Sequence, residues 1–152
     1  MVAYDIPKEA DWGDYKKDLD QKSAFISFAG RSNDEMQSDF YKNIHERVSE
    51  LRFMPTVPFR YYVIGLRDFI VHGEFAKYES ADIANCFLSL VEDRLENQSE
   101  SIMLVVDELM PVVEEVCRNQ KKYDAPEDIY GNFMDKLTKI HEIIDSKVAW
   151  KK

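Results

Sequence analysis

Apolar residues recur along most of this chain at three- and four-residue intervals, the spacing that gathers them on one side of an α-helix. Met36, Phe40, Ile44, Val48 and Leu51 form one such stripe. It follows Ser32-Asn33-Asp34-Glu35, a Ser-x-x-Glu spacing in which each side chain satisfies a free backbone N–H at a helix start. The pattern predicts a helix from about Ser32 to Phe53. Pro55 and Pro58 then impose an extended turn, with Thr56 or Val57 leading into the next helix.

That helix is expected from Phe59 to His72, closed by Gly73. Phe59, Tyr62, Val63, Leu66, Phe69 and Ile70 cover a broad arc, while Ile64 and Val71 fall on the other side, close to Arg60 and Arg67. A helix apolar on both sides belongs inside a core, so residues 58–72 are predicted to be the central buried helix. Gly65 leaves room for another backbone to approach, at a helix-propensity cost of about 1 kcal/mol relative to Ala.

Ser80 is placed to cap a further helix striped by Ile83, Phe87, Leu90, Val91 and Leu95, and Asn97-Gln98-Ser99 reads as a short connection. Ile102, Val105, Val106, Leu109, Val112, Val113 and Val116 continue helical spacing, with a kink or break expected at Pro111, which has no N–H for the ladder. Asp124-Ala-Pro-Glu127 has the cap residue, early proline and acid of another helix start. Ile129, Phe133, Leu137, Ile140, Ile144 and Val148 would be its inner face. Near the N-terminus, Tyr15, Leu19 and Ile26 can share a helical face that stops at Gly30; a strand at Phe25–Phe28 would lack a partner, so helix is preferred. The expected fold is all-α, one domain over residues 1–152, a bundle of about five to seven helices.

Composition fits that picture. The chain has 152 residues, 45% hydrophobic and 32% charged, which excludes a disordered chain and suffices for a core. The longest apolar run, Ile102 to Val106, is too short to span a bilayer, and the first residues lack the basic start and apolar stretch of a signal peptide. Cys86 and Cys117 both sit in apolar helical patterns, as reduced buried thiols do, so a cytoplasmic location is expected.

Charge is distributed unevenly. From Glu79 to Glu115 there are ten acids, among them Glu92, Asp93, Glu96, Glu100, Asp107 and Glu108, and a single base, Arg94. That imbalance equals the net charge of the whole chain, −9. It argues against nucleic acid or an anionic membrane as partner and suits either a basic protein or simple solubility. The nearby Tyr123-Asp124-Ala-Pro-Glu127-Asp128-Ile-Tyr130 mixes aromatics with acids, as binding surfaces do, although inward-packed tyrosines at a helix start would read the same way.

Motifs for catalysis are missing. The residues three before His45, His72 and His141 are Lys42, Phe69 and Thr138, so the Glu-x-x-His of di-iron bundles does not occur. There is no His-Glu-x-x-His, no Cys-x-x-Cys, no Gly-x-Ser-x-Gly and no glycine-rich phosphate loop. No cofactor or metal is expected, and the balance leans away from an enzyme. One polar constellation stands out on the central helix: Arg60 and Arg67 share a face, and Asp68 lies one turn from His72. Such a cluster is either a network fixing helix positions or a pocket for a carboxylate or phosphate group.

The leading expectation is therefore a non-enzymatic interaction protein that meets a basic protein partner through Glu92, Asp93, Glu96, Glu100, Asp107 and Glu108, assisted by Tyr123, Asp124, Glu127, Asp128 and Tyr130. Its alternative is a small-molecule or anion-binding protein, or an enzyme, with a pocket at Arg60, Arg67, Asp68 and His72. In size and charge the chain is similar to bacterial immunity proteins, small acidic helical inhibitors of basic toxins. No shared motif accompanies that similarity, which implies only an inhibitor or adaptor mode. Homo-oligomerisation stays open.

Overall fold

The computed structural model describes residues 5–150, and side chains through residue 148. Among these residues there is no strand: nine α-helical segments and three 3-10 turns carry the chain. The all-α expectation holds. The chain gathers into two units, one up to Glu74 and one from Phe75 onward.

In the first unit, 3-10 turns at Glu9–Trp12 and Tyr15–Lys17 precede α1 (Leu19–Phe28), α2 (Asn33–Lys42), α3 (Ile44–Arg52) and α4 (Thr56–His72). α4 is its core helix, packed against α2, α3 and the Glu9–Trp12 turn. Tyr62, Val63, Leu66 and Phe69 are buried together with Trp12, Phe28, Met36, Phe40 and Leu51. The aromatic rings interlock edge to face, Phe28 with Tyr62 at 4.9 Å and Trp12 with Phe25 at 5.4 Å between centroids. Gly65 is where α2 comes close: a Cβ there would overlap the Asn33 side chain. Asn33 Nδ2 donates to Tyr61 O (2.9 Å) and Gln37 Nε2 to Gly65 O (3.0 Å), so two amides of α2 read the backbone of α4 through that gap.

The Ser32–Glu35 capping box forms as expected. The single helix expected from Ser32 to Phe53 is two helices. Asn43 ends α2 and caps α3, its Oδ1 accepting from Glu46 N. An Asn side chain competes with the helical ladder for backbone donors, and here it wins. The N-terminal helix is shorter than expected and faces differently. Tyr15 sits in a separate turn, and Leu19 and Ile26 are 86% and 73% exposed, while Ala24 and Phe28 fill the core. α1 packs on α3 and is joined to it by a buried carboxylate: Glu50 Oε2 accepts from Ser23 and Ser27 hydroxyls (2.8 Å each). Glu50 Oε1 meets Arg47 at 2.6 Å, Asp39 lies 4.0 Å from Arg47, and Arg31 donates to Asp39 at 2.6 Å. Alternating charges thus run from Glu50 and Arg47 of α3 through Asp39 of α2 to Arg31, just before α2.

The second unit contains a 3-10 turn at Lys77–Glu79, then α5 (Ser80–Asn97), α6 (Ser99–Met103), α7 (Val106–Arg118), α8 (Glu127–Tyr130) and α9 (Phe133–Trp150). α9 packs against both α5 and α7, and α6 against α5. Ile83, Phe87, Leu90, Val91 and Leu95 are buried on α5; Leu109, Val113 and Val116 on α7; Phe133, Leu137 and Ile140 on α9. Ser80 does not cap α5; it is buried in the first turn, with Oγ within hydrogen-bond distance of Lys77 O and Tyr123 O.

The break expected at Pro111 lies instead at Leu104–Val105, and α7 runs through the proline. Pro111 and Asp107 are both exposed, so water can take the carbonyl that the missing N–H leaves open. The last helix is also interrupted. Gly131 (φ +77°) turns the chain between α8 and α9, and Ile129, expected on the inner face, is exposed. No described helix is long and apolar enough to cross a membrane.

Candidate functional site

The acid-rich stretch lies on α5, α6 and α7. Its only base, Arg94, is 1% exposed and donates through Nε to Ser101 Oγ at 3.0 Å. Burial pulls its pKa down to about 10. The cation of this stretch is therefore withheld from solvent. Several of its acids are braced by basic groups from elsewhere in the unit. Lys139 of α9 reaches Glu92 (3.5 Å) and Glu96 (3.2 Å), and the hydrogen bond to Glu96 holds the ammonium pKa above its ordinary value. Glu114 of α7 lies 3.3 Å from His141, and Glu115 accepts from Lys122 (3.1 Å) and from the Tyr123 hydroxyl (3.0 Å). Asp93 accepts from the Asn97 amide at 2.9 Å. Glu96, Glu100 and Asp107 are exposed, and Glu108 is half-buried.

The 123–130 segment divides by residue type. Tyr123 packs inward, and burial, reinforced by the Glu115 contact, pushes its pKa up. Tyr130 is half-buried and donates to Asp82 Oδ1 at 2.6 Å; that bond raises its pKa. Asp124, Glu127 and Asp128 are exposed, Glu127 accepting from Asn132 at 2.7 Å. The acids face water and the two rings are tied to acids of their own unit. The loop is closed by Gln120, whose Nε2 donates to Ala125 O (2.9 Å) and Gly131 O (2.8 Å) while Oε1 accepts from Phe133 N (2.8 Å). It borders a cleft of about 510 Å³ that also touches Cys117, a thiol whose pKa burial lifts to about 11.

The polar residues expected together on α4 are only partly so. Arg67, Asp68 and His72 line one open cavity of about 690 Å³ in the first unit. Arg60 lies in a different cleft, with Asp5, Lys8, Asp11 and Tyr61. Arg67 is paired with an acid, as a largely buried guanidinium requires, and the acid is its own neighbour: Nη2 donates to Asp68 Oδ1 at 2.9 Å and Nε to the same oxygen at 3.2 Å. Asp68 thus turns to Arg67.

The other wall of that cavity is α2. Asp34, Gln37, Ser38 and Tyr41 line it, and Glu74 closes one end beyond α4. These residues were not singled out from the sequence. The signal for them is their spacing: they share one side of α2, opposite Met36 and Phe40. Among the described residues no group of three or more His, Cys, Asp or Glu side chains is arranged to hold a metal ion.

Compared with known proteins, the chain matches no family model, no curated protein and no solved structure.

Proposed function

We propose that this chain is a non-enzymatic interaction protein, an inhibitor or adaptor that holds a basic protein partner on the carboxylates of its second unit. One observation carries the reading: the acid-rich stretch buries its single cation, Arg94, while Glu96, Glu100 and Asp107 remain in solvent. Asp124 and Asp128 extend the exposed carboxylates. Exposed like charges of this kind accelerate encounter with an opposite surface and suppress wrong partners. Two free cysteines, Cys86 and Cys117, support a reducing location such as the cytoplasm.

The test is capture from the native cell with wild type and with a variant carrying Glu96→Gln, Glu100→Gln, Asp107→Asn and Asp128→Asn. All four positions are exposed, so the variant should keep the helical circular dichroism of wild type. A basic protein should be retained by wild type at low ionic strength and lost both in high salt and with the variant. Equal capture by both proteins, or a partner that is not basic, removes the reading.

A second reading, a protein that binds a small molecule, is favoured by the meeting of Arg67, Asp68 and His72 on one cavity. A thermal-shift screen addresses it, because a ligand at about 100 times its dissociation constant adds about 2.7 kcal/mol of stability.

A further inference from the structure

We draw no further inference here: the strongest candidate, the cleft at the C-terminal end of α7 lined by Arg118, Lys121, Lys122 and the buried Cys117, rests on solvent-exposed bases beside a helix end and a lone cysteine, with no second observation that points to a ligand.

Discussion

The two units use charge in opposite ways. In the first, charged groups are cement. Arg31, Asp39, Arg47 and Glu50 alternate in sign, and the last of them is buried and ties α3 to two serines of α1. In the second, acids stay mainly at the surface while the lone base of the acid-rich stretch goes inside. A formal charge count treats these groups alike. Burial is what separates an ion pair that holds helices from a carboxylate shown to solvent.

The contrast leaves the apolar cores equivalent, and there the largest effects are expected. Phe87→Ala should cost about 3–5 kcal/mol and Leu66→Ala about 2–5 kcal/mol, since both side chains are completely buried and leave cavities. Denaturant melts of each variant measure this. Near-neutral results would mean that α4 and α5 are not the core helices of their units.

Charge deletions sharpen the difference. Glu50→Ala should cost roughly 2–4 kcal/mol by leaving two hydroxyls without their acceptor and taking from Arg47 its nearest carboxylate. Glu96→Ala, which removes a solvent-exposed pair with Lys139, should stay within about 1 kcal/mol. Similar losses for the two in the same melts would erase the distinction drawn between the units.

Two backbone positions should move stability in opposite directions. Pro111→Ala restores an N–H inside α7 at an exposed position and should stabilise by about 1–2 kcal/mol, the helix gain being offset by greater freedom of the unfolded chain. Gly65→Ala gains helix propensity but forces its Cβ against Asn33, so thermal melts should show a net loss of about 1–2 kcal/mol.

The smallest effect is in pH dependence. The Arg31 hydrogen bond holds Asp39 below its ordinary 3.8, and the Ser32 backbone N–H holds Glu35 below 4.5. Groups lowered on folding contribute stability that is present above those ordinary values and lost as pH falls through the folded ones. Lys139 in the second unit is raised, so its contribution is full below 10.5 and lost only as pH rises through the higher folded value. Asp39→Asn should therefore flatten the acid limb of a stability–pH profile, below about pH 4, and leave the alkaline limb unchanged.

The helices were legible because their inner faces repeat: Met36 and Phe40, Leu66 and Phe69, Phe87 and Leu90 all fall where the period puts them. What periodicity missed is where one side chain outcompetes it. Asn43 stops a stripe that would otherwise run on, and Gly131 turns the chain where apolar spacing continues. Pro111 erred the other way, because the cost of a missing N–H depends on whether water reaches the carbonyl it abandons. The candidate cavity was half legible. Arg67, Asp68 and His72 lie close together on one helix, but Asp34, Tyr41 and Glu74 join them only through the packing of α2 and the exit of α4.

The Gln120 contacts carry a consequence for chemical ageing. A side-chain amide offers the same donor and acceptor as a peptide group, and here it substitutes for one, stitching Ala125, Gly131 and Phe133 into a closed loop. Deamidation would exchange a single nitrogen for oxygen. The resulting carboxylate would have no hydrogen to give to the two carbonyls and would set a negative charge against both. That one exchange would open the loop between α7 and α9.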